Sequence, residues 1–273
     1  MGFHVKSKLI ALITRLLIRE RNLQSFPMSD YQRMRYEIKP GDVILVEGRS
    51  LVSDVIKTVT QSRWSHAALY IGRLHEIENP RDRLRLKDFF DGQPDIQLIV
   101  ESELGMGTVA RPLSVYDKDH VRICRPKDLT YSDAQKVIHH AISRLGTDYD
   151  VRQIFDLMRF FFPYLILPRR WRSSLFKTHP GKTTKTVCSS MIAEAFGSIQ
   201  YPILPLVKRS EDGKVKIYRR NPKLCTPSDF DYSPYFDIIK YPFSDFAKSE
   251  PHYRQLPWIE EEKINEEPID KIQ

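Results

Sequence analysis

Ser65-His66-Ala67-Ala68-Leu69-Tyr70-Ile71-Gly72 is the stretch on which the fold reading turns. It sets one imidazole at the head of a small and apolar run that stops at Gly72, the pattern of a strand. Upstream, Pro40-Gly41-Asp42 turns into Val43-Ile44-Leu45-Val46, a short β-branched strand. Residues 50–60 have helical spacing at Leu51, Val55 and Val59. Residues 20–39 are polar and read as a connector. The charged residues 73–95, with Pro80 and the turn Asp91-Gly92, read as a solvent loop. Residues 96–101 predict a third strand and 120–124 a fourth. Ser132 predicts a helix start, with Ala134, Val137, Ile138, Ala141, Ile142 and Leu145 as its apolar face and Gly146 as its end. Further helices are expected over residues 151–162, stopping at Pro163, and over 188–197. Asp212-Gly213 between Leu206-Val207 and residues 215–218 predicts a hairpin. Residues 235–239 predict a last strand.

The 273 residues are 41% hydrophobic and 29% charged, which excludes wholesale disorder, a collagen-like chain and a polytopic membrane protein. The formal net charge is +8, and residues 259–273 hold six acids against two bases, so the rest carries +12. Such an excess points to an anionic partner, either nucleic acid or a phospholipid surface. Cys124, Cys188 and Cys225 cannot all pair, and their spacing fits neither a disulfide framework nor a zinc knuckle. The simplest inference is a reducing compartment with free thiols.

No stretch of about 20 uncharged apolar residues exists, so no spanning helix is expected. Leu9, Leu12, Ile13, Leu16 and Leu17 share one helical face, with Lys8, Arg15 and Arg19 mostly away from it. That is a basic amphipathic helix with two placements open, its own core or a membrane surface, and a degenerate signal sequence as a third reading. Lys6 stands where a myristoylation motif wants Ser or Thr.

A thiol acyl-transfer site needs a thiol ionised near neutral pH, an imidazole held in one orientation and donors facing the oxyanion. Cys188 precedes a predicted helix, where the positive end of the helix dipole favours thiolate. Thr183, Thr184 and Thr186 are candidate caps near its start. His66 lies on a strand among apolar neighbours. Glu101 ends another strand, and Glu103 follows on the same face. Singly, each has a plainer reading: an inert core thiol, a satisfied structural histidine, a solvated charge. Only the joint pattern points to chemistry.

These motifs resemble the YaeF/YiiX-like group of permuted papain-like hydrolases within the NlpC/P60 superfamily, some of them labelled lipo-like proteins. The resemblance is carried by Pro40-Gly41-Asp42-Val43-Ile44-Leu45-Val46, then Gln61-Ser62-Arg63-Trp64 running into the opening stretch. It continues through Val100-Glu101-Ser102, Gly146-Thr147-Asp148-Tyr149-Asp150, Val187-Cys188-Ser189-Ser190 and the run from Thr226 to Phe236, roughly residues 38–240 in all. In papain the Cys precedes the His; the permuted group runs His, acid, Cys. The resemblance implies an α+β, permuted papain-like (NlpC/P60) fold. In it a small antiparallel sheet or half-barrel packs against the helix carrying the cysteine. It implies Cys188 as nucleophile, His66 as general base and Glu101 as orienting acid, with Glu103 as a rival. The Cys188 N–H and the Tyr149 hydroxyl would line the oxyanion site. No cofactor and no metal are expected.

The expected organisation is an amphipathic helix and connector over residues 1–37, a hydrolase domain over 38–247 and an acidic tail over 248–273. The tail, the aromatic segment 155–167 and the basic stretch 169–185 depart from shorter members of the group. The expected function is a thiol hydrolase cleaving an amide or ester through a thioester. It would be bacterial and cytoplasmic, acting on lipid or acylated substrates and peripheral at the inner membrane. One alternative is a cell-wall peptide amidase or endopeptidase. Another is a non-enzymatic basic binding protein, although no nucleic-acid module is recognisable and no nucleic acid is expected as partner.

Overall fold

The computed structural model describes residues 29–103, 105–147, 188–209 and 214–240. All of these fall within one compact unit, Met1–Pro242. The strands are β1 (Val43–Val46), β2 (His66–Gly72), β3 (Leu98–Glu103), β4 (Gly107–Pro112), β5 (Val121–Pro126), β6 (Leu206–Arg209), β7 (Val215–Tyr218) and β8 (Phe236–Ile239). Six of them make one antiparallel sheet in the order β4-β3-β2-β1-β5-β8. β6 and β7 pair only with each other.

β1 is buried along its whole length, and β2 everywhere except at His66. Side chains alternate along a strand, so both faces of the sheet must be covered. Val43, Leu45, Ala67, Leu69, Ile71, Leu98, Val100 and Cys124 pack on one side with the helices Tyr131–Ser143 and Cys188–Ser198. Ile44, Val46, Ala68, Tyr70, Ile99 and Ile123 pack on the other with Met34 and Leu113. Each large side chain taken out of water contributes about 1.5–3 kcal/mol. Both central strands therefore read as unbroken apolar runs. β2 ends where Gly72 takes φ +85°, and a Cβ there would come within 2.7 Å of Glu76 Oε2.

Six α-helices, with three short 3-10 turns (Leu74–Glu76, Leu113–Tyr116 and Pro222–Leu224), complete the described structure: α1 (Tyr31–Glu37), α2 (Leu51–Thr60), α3 (Pro80–Lys87), α4 (Tyr131–Ser143), α5 (Cys188–Ser198) and α6 (Pro227–Tyr232). Caps set their starts. Asp30, Ser50, Asn79 and Thr130 each accept a bond from a backbone N–H in the first turn of the helix that follows. The α4 cap is thus Thr130 and not the expected Ser132. The expected solvent loop 73–95 contains α3, which hydrophobic periodicity misses because Leu86 is its one buried apolar residue. Its local signal is the Asn79 cap followed by Pro80 at the first helical position. α1, inside the expected connector, buries Met34 alone. β4 was not expected: it is an edge strand, and only Val109 and Ala110 interrupt its polar and turn-forming residues.

The expected amphipathic helix around residues 9–17, the expected helix over 151–162, the basic stretch 169–185 and the acidic tail lie outside the described residues. No described helix is long and apolar enough to cross a membrane.

Candidate active site

His66 opens β2, and Glu101 sits near the end of the neighbouring β3. By alternation both lie on the face that carries Ala68, Tyr70 and Ile99. The strand before His66 is fixed by Trp64. Its indole N–H donates to Asp231 Oδ2 at 3.2 Å, and its ring lies between His120, stacked at 5.3 Å, and the Arg122 guanidinium at 4.7 Å. Arg122 in turn donates to Asp231 at 2.6 Å. Asp231 belongs to α6, whose start is closed by a reciprocal cap between Thr226 and Asp229. The run from Thr226 to Phe236 therefore reaches the site through Trp64. It reaches the cysteine as well, because the adjoining Cys225 carbonyl accepts from Ser189 Oγ at 2.6 Å.

The structure brings Cys188, His66 and Glu101 together. His66 Nε2 lies 2.6 Å from Glu101 Oε2, which leaves Nδ1 to face the sulfur. Cys188 is the first residue of α5 and only 3% exposed, yet it lines a cleft of about 540 Å³ together with His66 and Glu101. Burial alone would raise the Cys188 thiol. The His66 charge and hydrogen bond, with the Ala67 and Ser189 backbone N–H groups, outweigh burial and move it down. Burial would lower His66, but the Cys188 thiolate and the Glu101 carboxylate hold it well above the usual imidazole range. Burial would raise Glu101, yet His66, the Tyr116 hydroxyl and Arg111 bring it down. These charges favour a thiolate–imidazolium pair backed by a carboxylate.

The rivalry between the two glutamates resolves spatially. Glu101 takes His66, while Glu103 Oε2 holds the Arg111 guanidinium at 2.5 Å. Arg111 also stands 3.5 Å from Glu101 Oε1, an oxygen without a hydrogen-bond partner among the described residues. Tyr116 donates its hydroxyl to Glu101 Oε2, the oxygen that also meets His66. Burial, and then the Glu101 charge, push the Tyr116 hydroxyl well up, so it stays a donor. Neither Arg111 nor Tyr116 was a sequence candidate. Arg111 lies on β4 and Tyr116 in the turn Leu113–Tyr116, neither of which has an apolar pattern, and no spacing links them to His66. Tyr149 lies outside the described residues.

Above this floor, Val52 and Ile56 of α2 and Val115 give the cleft an apolar wall, and Arg49, Asp117 and Lys118 supply charge. Among the described residues no group of three or more His, Cys, Asp or Glu is placed to hold a metal.

A buried thiol facing an imidazole that a carboxylate holds, on a sheet-and-helix frame with the histidine first in the chain, defines a permuted papain-like hydrolase. The family described as permuted papain-like amidase enzyme, YaeF/YiiX, C92, matches residues 37–161. Residues 37–161 thus resemble the YaeF/YiiX-like family, and the fold is the α+β, permuted papain-like one. That stretch contains His66 and Glu101 and ends before Cys188, whose place in the site rests on the geometry above. The crystal structure of the metalloprotein yiiX from Escherichia coli O157:H7 is similar over 76% of this chain and 98% of its own, at 14% identity and a TM-score of 0.47. No curated protein matches the sequence.

Proposed function

We propose that this protein is a cysteine amidase in which Cys188 is the nucleophile, His66 the general base and acid, and Glu101 the group that orients the imidazole. The observation that carries the reading is the single ring of His66 bridging a carboxylate at 2.6 Å and a thiol whose ionisation it favours. The thiolate attacks the amide carbonyl carbon, and the carbonyl electron pair moves to oxygen. The Cys188 backbone N–H and the Tyr149 hydroxyl are proposed to receive that charge. As the oxyanion collapses, the C–N bond breaks and His66 gives its proton to the leaving amine. Water then attacks the thioester while His66 takes its proton. The C–S bond breaks, and the carboxylic acid leaves with the thiolate restored. Tyr116 is a positioning residue: it fixes Glu101, and through it the ring.

The apolar wall of Val52, Ile56 and Val115 favours an acylated substrate, ester or amide, over a wholly polar cell-wall peptide. A cytoplasmic place at the inner membrane agrees with the +12 outside residues 259–273. The E. coli relative is described as a metalloprotein. The donor set described here does not fit a metal, and no step runs through one.

The test is an electrophilic thiol probe combined with N-acyl amide substrates of increasing chain length. Labelling at Cys188 that needs His66, with turnover rising with chain length, supports the reading. Equal labelling of Cys124, Cys188 and Cys225 sinks it.

A further inference from the structure

The β6–β7 ribbon has no part in the cleft. Its register places Leu206 opposite Tyr218 and Lys208 opposite Lys216 on one face, with Val207 opposite Ile217 and Arg209 opposite Val215 on the other. All eight residues are exposed. Val207, Val215 and Ile217, on one face, are 63%, 58% and 63% exposed. A two-stranded ribbon is marginal in water by itself. This one is tied at its base, where Arg220 pairs with Asp229 at 2.9 Å.

Two features of the ribbon cost stability unless something beyond the described residues meets them. A β-branched face stands in water. Lys208 and Lys216, directly opposed, repel each other, and among the described residues no acid pairs with either. Lys208 lies 5.8 Å from the Tyr218 ring centroid instead. Arg209 and Arg219 add to the charge. A partner that answers both features is apolar at one depth and densely anionic just above it.

We propose that the β6–β7 ribbon is a docking surface for an anionic phospholipid bilayer. Val207, Val215 and Ile217 enter the boundary between headgroups and acyl chains, and Lys208, Arg209 and Lys216 reach the phosphates along their flexible stems. Duplex nucleic acid would use the cations but leave the aliphatic face in water, since Val and Ile do not stack on bases. The proposal does not rest on the amidase reading, because no ribbon residue lines the cleft.

Flotation of the full chain with phosphatidylcholine vesicles, with and without phosphatidylglycerol, tests it. The wild-type chain is expected to float with the anionic vesicles alone and to be released by salt. K208Q/K216Q should weaken binding about twenty-five-fold, at roughly fivefold per cation. V207S/I217S should weaken it about tenfold or more. Both variants should keep probe labelling at Cys188, which shows them folded and reads the cleft separately. Absence of flotation, equal binding to neutral vesicles, or variants that float like the wild type each overturn the proposal. So does binding to duplex RNA in place of vesicles.

Discussion

Cys188 and Cys124 are two buried thiols in opposite electrostatic surroundings. Cys124 lies in the middle of the sheet on β5, opposite Val43 and Ile238, with 0% exposure. Cys188 is 3% exposed. Burial pushes Cys124 far up, and the nearby Asp231 charge adds to it. Burial pushes Cys188 up too, but there the imidazolium and two backbone N–H groups reverse the sign. Cys225, beside the α5 start, also moves up, through burial and then the Asp229 charge. Depth does not make a thiol reactive or inert; the charge it faces does.

The contrast can be broken most sharply at the sulfur. Cys188→Ala should abolish turnover and remove the main site of alkylation at neutral pH, read by mass spectrometry of the labelled chain. If Cys124 or Cys225 is labelled as fast in the wild type, the contrast is lost. His66→Ala should leave Cys188 as unreactive as Cys124. Turnover should fall by about 10²–10⁴-fold, and the alkylation rate should drop with it.

Tyr116→Phe removes one donor to Glu101 and leaves the ring contacts. One hydrogen bond to a charged group is worth roughly 1.5–3 kcal/mol, and only part of that is felt at His66, so kcat should fall about tenfold with KM little changed. A merely structural role would lower the melting temperature and leave the pH profile in place.

The pH dependence sharpens the same contrast. With Cys188 lowered, thiolate persists to lower pH than an ordinary thiol allows and is lost as pH falls through the lowered value. With His66 raised, imidazolium is present below its raised value and lost as pH rises through it. kcat/KM should therefore show a plateau wider on both sides than ordinary thiol and imidazole values allow. In Glu101→Gln the alkaline limb should move toward neutrality. The smallest effect is expected at Cys124→Ala, about 1 kcal/mol of stability in denaturant unfolding with labelling and turnover unchanged.

Much of this was legible in the chain. Val43-Ile44-Leu45-Val46 and the run from His66 to Gly72 announce central strands because both of their faces are buried. The Asp212-Gly213 pair announces the ribbon, whose described strands fall on either side of it. The apolar stripe of α4 announces that helix, although its cap was misplaced by two residues. α3 and β4 escaped because hydrophobic patterning sees only large apolar residues: α3 buries one, and β4 buries Gly107, Thr108 and Ala110. Of the candidate site, the sequence points to Cys188, His66 and Glu101, with Glu103 as rival, and to Tyr149, which lies outside the described residues. The two supports of Glu101 were not legible, because Arg111 and Tyr116 meet it across an edge strand and a turn.

The sequence by itself determined which strands are central, which helix carries the thiol, and that a histidine, an acid and a cysteine occur in the permuted order, since periodicity and motif order are properties of the chain. Only the tertiary structure decided that Glu101 and not Glu103 meets His66. It also decided that Arg111 is drawn off by Glu103, and that one buried cysteine is lowered while two are raised. Those outcomes depend on distances of a few ångströms between residues far apart in the chain, over which charge and hydrogen bonding reverse what burial alone would do.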